Sequence, residues 1–473
     1  MKMILNSLFS LRWAVLLGMA GMVLPAQSPI GTIISEQSRT SFTMQGAGAR
    51  AMGLGGAFIA VADDATAVSF NPAGLAQLLK PEVSFVARGA KREVAYEDVA
   101  TTAGAKRLLV SDSLISNTQL DPLFFAATVP LRLGDRTLSL QLSLQKLISL
   151  SESDTRDLTE LPQDITAASV PSRLTQSINQ SGQIDVYSFA MAYEASQRIL
   201  LGFSVNVWRG TWDLDSRSSK TSGTSKSYVN FSQSNHLDGS NFNLGLIWRW
   251  PTWSLGLVHR TAFHATYSFG TVLDTSALAK PSVNKSIETG LHWPSTTGIG
   301  LAYRPWERWL FASDITRTAW STARHSSSRP SLDGLNFFDL DKGTRTPDST
   351  DFHIGVERIL LTTSGSVIPL RLGYSREPQP VVDRVTGEQR VINGLTLGSG
   401  LKRGAYTVDL AYRFGWGTRR TSQFLDVDQI LSKTPPTSLG TERLREHRVD
   451  VSFNIQFERQ PVERLLRHLF VGD

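Results

Sequence analysis

At 473 residues the chain can hold two or three ordinary domains or one large β-architecture. With 41% hydrophobic and 19% charged residues it is not a disordered polymer, and a mean hydropathy slightly below zero excludes a bundle of membrane-spanning helices. The formal charge of +6 is scattered rather than gathered into a patch, so no nucleic-acid partner is read from it. The absence of cysteine leaves neither disulfides nor a lipid-attachment thiol to hold an exported chain.

The first segment, residues 1–26, starts basic at Lys2 and Arg12. It continues through the apolar run Trp13 to Leu24 and closes on Pro25-Ala26. A basic start, a short apolar core and a small exit residue describe a secretory signal peptide, whereas a spanning helix needs about 20 apolar residues. The mature chain is expected to begin near Gln27.

Residues 27–80 are read as a plug. From Gly46 to Ala76 the sequence is crowded with small residues, including Gly53, Gly55 and Gly56. Such residues let one backbone approach another closely, as a segment threaded inside another structure must. Asp63-Asp64 admits two roles: hydrogen bonds and ion pairs inside a lumen, or turn formation by the Asx side chains. Asn71-Pro72-Ala73 then punctuates the chain, since proline disfavours helix for the residue before it. Pro72 either seats the plug through a rigid bend or marks its exit toward Pro81.

From 81 to 457 the chain alternates strand-like segments with turns. Thr137 to Gln145 is the clearest: Leu138, Leu140, Leu142 and Leu144 face one way, Ser139, Gln141, Ser143 and Gln145 the other. A sandwich would turn those leucines inward and a membrane barrel would turn them to lipid, so the pattern alone does not choose. Connection lengths do. Strands are placed near 82–91, 121–132, 136–149, 183–195, 199–213, 240–250, 252–266, 289–304, 308–320, 350–361, 366–376, 393–402, 405–417 and 445–457. Short turns such as Leu133-Gly134-Asp135 and Arg403-Gly404 alternate strictly with long Ser-, Thr-, Asp- and Gly-rich loops, among them 150–182 and 214–239. Sorting by parity is the habit of outer-membrane barrels, with an even strand number and both termini on the periplasmic side. The fold class is therefore all-β: a transmembrane antiparallel barrel of about fourteen strands with the N-terminal segment as a hatch in its lumen.

Trp208, Trp212, Trp248, Trp250, Trp253, Trp306, Trp309, Trp320 and Trp416 fall at or near strand ends and are expected to form interfacial girdles. The last strand ends in Phe457. Residues 458–473 follow as a periplasmic tail whose spacing suits a short amphipathic helix.

The small-residue segment, Asn71-Pro72-Ala73 and the barrel together resemble the FadL-type outer-membrane transporters of long-chain fatty acids and other hydrophobic compounds. Further matches are Pro294-Ser295 leading into Gly298 to Pro305, Asp314-Ile315-Thr316 with Trp320, Pro369 to Tyr374, and Gly394 to Gly398. The resemblance implies a luminal hatch, with Gly53, Gly55, Gly56, Asp63 and Asp64 in the hatch stretch and Asn71, Pro72 and Ala73 in a motif near an opening in the wall. It further implies a hydrophobic ligand that enters from the extracellular loops and leaves sideways, sparing it a crossing of the lipopolysaccharide. The barrel would thus meet outer-membrane lipid and lipopolysaccharide and need no cofactor. One departure stands out. The family's lateral opening goes with a kink in the third strand, yet Thr137 to Leu147 contains neither glycine nor proline, and its inward face is Ser and Gln.

The sequence also resembles the related PorV-like secretion-accessory barrels, which bind exported proteins through their loops; the polar loops at 150–182 and 214–239 suit that alternative. An enzyme would need a nucleophile, a base and an orienting group. His259 and His264, five residues apart, are expected on opposite faces of one strand, and no Gly-x-Ser-x-Gly or His-Glu-x-x-His occurs. An open porin is disfavoured because residues 46–76 need an enclosed place to be.

Overall fold

The computed structural model describes residues 46–101, 106–110, 113–162, 172–274, 283–328, 333–337, 346–383, 386–421 and 438–458. The expected signal peptide, the start of the plug (27–45) and the tail beyond Glu458 lie outside the described residues.

The barrel is closed and has fourteen antiparallel strands. In chain order they are β1 (Glu82–Thr101), β2 (Lys106–Val110 with Ser113–Leu133), β3 (Arg136–Ser149 with Glu152–Pro162), β4 (Ser172–Glu194) and β5 (Ile199–Ser222). There follow β6 (Ser225–Arg249), β7 (Trp253–Arg260 with Phe263–Asp274), β8 (Val283–Trp293 with Thr296–Tyr303) and β9 (Trp309–Thr318 with Arg324–Ser326). The last five are β10 (Ser349–Leu361), β11 (Val367–Val382), β12 (Gln389–Arg403), β13 (Tyr406–Thr421) and β14 (Ser438–Gln456). Each pairs with its neighbours in sequence, and β1 pairs with β14 from Glu82↔Gln456 upward to close the wall. Closure leaves no free edge to template aggregation.

Side-chain alternation decides the two surfaces. On β3, Ser139 and Gln141 are buried and Leu142 is exposed, so the leucines point outward. Phe189, Met191, Leu244, Leu257, Ile299, Leu301, Ile315, Leu372, Leu397, Leu410 and Phe453 join them as exposed apolar side chains around the circumference. That is the surface a barrel presents to hydrocarbon.

The strands are longer than their sequence expectation. Residues 152–162 and 172–182, expected as loop, pair with each other as β3 and β4 (Glu152↔Gln180 to Glu160↔Ser172), and 214–222 pairs with 225–233 across the tip of β5 and β6. Serine and threonine at alternating positions fit a pleated sheet, and a two-residue turn at Gly223-Thr224 joins the pair; polarity alone was a poor loop signal.

Among the described residues, β3, β7, β8 and β9 each carry an interruption. β3 shifts register between Lys146 and Ile148 and parts at Leu150-Ser151. β7 parts at Thr261-Ala262, β8 at Pro294-Ser295, and β9 at the turn Trp320–Thr322. The last three are aligned: Arg260 pairs with Thr296, and Thr296 with Thr318. The break in β7 reverses parity. Ser254, Gly256 and Val258 face inward below it, Phe263, Ala265, Tyr267 and Phe269 above it. His259 and His264 therefore both face outward, contrary to the expectation of opposite faces.

Candidate functional site

Residues 46–78 run inside the barrel, and Leu79 and Lys80 are exposed where the segment leaves it. The enclosed residues form one short helix, Ala49–Gly53, and two 3-10 turns, Ala65–Ser69 and Pro72–Gln77. Ala47, Ala49, Leu54, Ala57, Phe58, Ala62, Ala65, Ala67, Ala73 and Leu75 have no exposed surface at all. Here the small residues of the plug meet small residues of the wall. A Cβ on Gly202 would stand 2.0 Å from the Ala73 nitrogen, and one on Gly245 2.1 Å from the Asn71 side-chain oxygen. A Cβ on Gly373 would lie 2.2 Å from the Gly55 nitrogen. Gly202 pairs with Gly245, Gly256 with Gly300, and Gly355 with Gly373, so the wall carries glycine pairs where the plug presses on it.

Polar groups then fix the seat. Asp314 of β9 is 2% exposed, and its Oδ2 accepts the backbone N–H groups of Phe58 (2.6 Å) and Ile59 (2.8 Å). Ala49 N–H donates to Ser452 Oγ at 2.7 Å, and Ala65 N–H to Glu82 Oε1 at 2.9 Å. Gln141 and Thr396 donate to the carbonyls of Ala65 and Gly53. Buried backbone groups in an irregular segment have no ladder of their own, so the wall must supply partners. Of these wall residues, Asp314 and Thr396 lie in sequence words matched above and Gln141 on the polar face of Thr137 to Gln145, whereas Glu82 and Ser452 belonged to no motif singled out from the sequence. The signal that could have found them is a polar residue of inward parity on an otherwise alternating strand.

The residues singled out in the sequence divide as follows. Gly53 abuts Gly398 and Arg371, and Gly55, at φ +70°, accepts from His353 Nδ1 at 2.7 Å. Gly56, at φ +90°, packs on the His353 ring. Asp63 pairs with Arg50, a residue of the plug rather than of the wall, and Arg50 also grips Glu357 of β10 at 3.1 Å. Asp64 takes the turn-forming role: its Oδ1 accepts from the Thr66 N–H (2.8 Å) and hydroxyl (2.5 Å), capping the first 3-10 turn. Burial pushes the Asp64 carboxyl up to about 7, against the opposing pull of Arg50. Asn71 is fully buried. It caps the second turn through Ala73 N–H, and its amide donates to the carbonyls of Ile59 (3.0 Å) and Leu246 of β6 (3.1 Å). Pro72 opens that turn at its first position, where a missing N–H costs nothing. Asn71, Pro72 and Ala73 thus sit against β5, β6 and β7, whereas Ser69 donates to Gln145 of β3 at 2.8 Å.

Beyond the plug the lumen has two unlike sides. On β1 and β10–β14 a chain of buried ion pairs runs through Arg371 with Glu357 and Asp409, Arg413 with Glu377 and Glu446, Arg88 with Asp450, and Arg390 and Arg419 with Glu442. On β3–β9 the lumen is lined by rings. Trp208 lies 5.1 Å from Phe263 and 5.3 Å from Trp293, Trp293 5.7 Å from Trp320, and Tyr267 5.8 Å from Phe337. Ile148, Leu150, Ile184 and Val186 continue this apolar lining to the break in β3. Trp208, Trp212 and Trp320 therefore line the lumen instead of the expected girdle, while Trp248, Trp253, Trp306 and Trp416 remain exposed on the outside. On β5 the first two share the inward parity of Ser204 and Asn206, a cue the sequence carried.

The β3 break also corrects the sequence reading of that strand, which expected uninterrupted alternation. Even-numbered residues face outward up to Leu144; after the bulge at Lys146–Ile148, Ile148 and Leu150 face inward. Across the break, Gly182 of β4 adopts φ +134°, accepts from Leu150 N–H at 2.9 Å and leaves no room for a side chain beside Trp212. The glycine that permits the kink is on the partner strand.

Two cavities flank this region. One, about 70 Å³, lies between Gly46, Gly56, Ile59 and Phe70 of the plug and wall residues including Asp314, His353 and Arg413; the other, about 40 Å³, lies between Val68, Ser69, Gln145, Leu147, Val186 and Trp208. Pockets for drug-sized molecules span roughly 300–1,000 Å³, so a long ligand fits neither while the plug is seated.

Among solved structures, a FadL homologue from Pseudomonas aeruginosa superposes with a TM-score of 0.60 at 12% identity, over 88% of this chain and 100% of that one. The chain has the FadL-type fold. The Pseudomonas putida toluene transporter TodX (TM-score 0.54, 15% identity) and the Ralstonia pickettii toluene transporter TbuX (0.52, 14%) share it, each over 88% of this chain and 99% or 100% of their own. No sequence-family profile and no curated protein matches the chain. In this FadL-type architecture the plug meets the wall at glycine pairs and buried polar seats.

Proposed function

We propose that this protein carries hydrophobic small molecules across the bacterial outer membrane, long-chain fatty acids among them, and that residues 46–80 act as its hatch. The observation that carries this reading is the continuous buried apolar cluster that runs from the rings of Trp208, Phe263, Trp293 and Trp320 to Ile148 and Leu150 at the β3 break. An apolar molecule gains about 25 cal/mol for each Å² removed from water, and this cluster offers it contact along the whole way to the wall. The structures of similar fold include toluene transporters, and that agrees with an apolar cargo. In this reading the ligand needs no chemistry. Gly53, Gly55, Gly56, Asp63, Asp64, Asn71, Pro72 and Ala73 hold the hatch shut, and its displacement enlarges the small cavities into a path. The exposed apolar side chains of the outer face support contact with outer-membrane lipid and lipopolysaccharide.

The test is native mass spectrometry with lipid extraction of the barrel purified gently from its own outer membrane. A co-purifying hydrophobe, lost when Asn71 and Pro72 are both replaced by alanine, supports the reading. A co-purifying exported protein with no small hydrophobe overturns it in favour of a secretion-accessory role.

A further inference from the structure

The outer wall changes character at one height on three adjacent strands. From the end nearest the short turns upward, the outward-facing side chains of β14 run from Phe453 and Val449 to Arg445 and Arg443. Those of β13 run from Val408 and Leu410 through Tyr412 and Trp416 to Arg420, and on β1 Phe85 gives way to Lys91. About ten residues, at roughly 3.3 Å each on a strand tilted about 40°, climb roughly 25 Å, the height of the apolar band of a membrane barrel. The cations therefore begin where hydrocarbon ends, on the side away from the short periplasmic turns.

Strand pairing gathers these cations into one patch. Trp416 lies opposite Arg445 and Thr418 opposite Arg443, Arg420 follows on the same face of β13, and Lys91 lies opposite His447. The residues are far apart in sequence, and only the closure of β1 on β14 joins them. Arg443 pairs with Glu97 at 3.0 Å and Lys91 with Glu93 at 2.8 Å. Arg445 and Arg420 are exposed, and their side chains form no ion pair among the described residues. Like charges gathered on one face repel, so the patch is costly unless an anion covers it. On the far wall the outer faces of β5 and β6 carry Asp213, Asp215 and Asp238, and Arg209 there is paired with Asp238.

We propose that Arg445, Arg443, Arg420 and Lys91 dock the phosphorylated head of a lipopolysaccharide molecule, whose acyl chains lie on Phe453, Val449, Leu410 and Tyr412 below. A guanidinium presents a planar pair of donors that matches phosphate, and Arg443 and Arg445 offer two of them on one face of one strand. Cross-strand neighbours stand about 5 Å apart and diagonal ones about 7–8 Å, so one phosphate group reaches two of these cations. Tyr412 and Trp416 lie at the boundary itself, where a ring with one apolar and one wet end is at home. The docked lipid sits on β13, β14 and β1, away from the break in β3. The proposal rests on placing the barrel in the outer membrane and adds a specific lipid partner at a specific part of its wall.

The test strips the full-length barrel of lipid in detergent and measures binding by native mass spectrometry. The probes are lipid A with its phosphates, the same lipid A with its phosphates removed, and phosphatidylglycerol. The parent is compared with the triple variant Arg420→Gln, Arg443→Gln, Arg445→Gln and with Arg209→Gln, and heat-modifiable migration on gels confirms that each is folded. A basic side chain near an anionic surface is worth about fivefold in binding, so the triple variant should lose roughly 100-fold for phosphorylated lipid A and nothing for the dephosphorylated form. Arg209→Gln should bind as the parent does. Equal binding of the two lipid A forms by the parent overturns the site, as does a preference that survives the triple replacement. Phosphatidylglycerol bound as tightly as phosphorylated lipid A overturns lipopolysaccharide as the occupant. Membrane fractionation of the producing cells separates these failures from that of the reading beneath them: a barrel found in the outer membrane leaves the passage reading standing, and one absent from it overturns both.

Discussion

Replacing Asp314 by alanine should unseat the plug. Its carboxyl is the partner of two consecutive backbone N–H groups, Phe58 at 2.6 Å and Ile59 at 2.8 Å, and all three residues are buried. Alanine leaves both N–H groups without an acceptor. An orphaned buried donor costs about 1–3 kcal/mol, so the seated state should lose roughly 2–6 kcal/mol relative to the displaced one. At 1.4 kcal/mol per decade that is about 30-fold to 20,000-fold more of the displaced plug. The chain has no cysteine, so Ala67→Cys, buried in the plug, supplies a unique thiol. Its labelling rate by a polar maleimide in isolated outer membranes reads the displaced fraction directly. Asp314→Asn keeps a carbonyl oxygen able to accept both bonds and should accelerate labelling far less. Heat-modifiable migration on gels confirms that the barrel remains folded. Labelling of Asp314→Ala at the parent rate, in a folded barrel, would refute the assignment of this carboxyl as a plug seat.

Gly245→Ala places a methyl 2.1 Å from the Asn71 side-chain oxygen and 3.0 Å from Pro72 Cδ. The overpacking should cost about 1–3 kcal/mol and raise Ala67→Cys labelling about 5- to 150-fold. Gly270→Ala, where a Cβ meets nothing within 4 Å, should leave labelling unchanged. Plug seating should also weaken with rising pH. Burial raises the Asp64 carboxyl from 3.8 to about 7, so the seated plug favours its protonated form. That contribution is complete below about pH 4 and lost as pH climbs through 7, and labelling, normalised at each pH to that of the denatured chain because maleimide reacts with the thiolate, should increase across this window more steeply in the parent than in Asp64→Asn.

The wall was largely legible in the sequence because a strand's two faces write themselves as alternation. Thr137 to Gln145 and Arg448 to Phe457 both carry it, and Leu142 and Phe453 are indeed exposed on the outer face. The enclosed segment was legible through its small residues, and the turn-forming role of Asp64 was one of the two the sequence left open, whereas the cap supplied by Asn71 was not read from it. What escaped was set by partners distant in sequence. The kink in β3 depends on Gly182 of β4, so a search of β3 itself for glycine or proline found nothing. The local trace was Leu147-Ile148, two adjacent apolar residues where alternation should have separated them. The aromatic cluster was hidden because the parity switch at Thr261-Ala262 turns Phe263, Tyr267 and Phe269 inward. Asp314 was read as part of a sequence word, and its role emerged only when the fold brought it to Phe58, 256 residues away.

The central claim, that hydrophobic molecules pass only when the plug moves, is tested most directly by locking the plug to the wall. Ser254 Oγ donates to the Ala60 carbonyl at 3.1 Å, so the two positions touch, and Ala60→Cys with Ser254→Cys introduces neighbouring thiols into a chain with no other. Uptake of a radiolabelled long-chain fatty acid, or of toluene, by cells carrying the double variant is measured under oxidising conditions and again after reduction. Uptake that falls to the level of cells lacking the barrel when the disulfide forms, and returns on reduction, is the predicted result. Uptake undiminished by a fully formed disulfide would contradict the account.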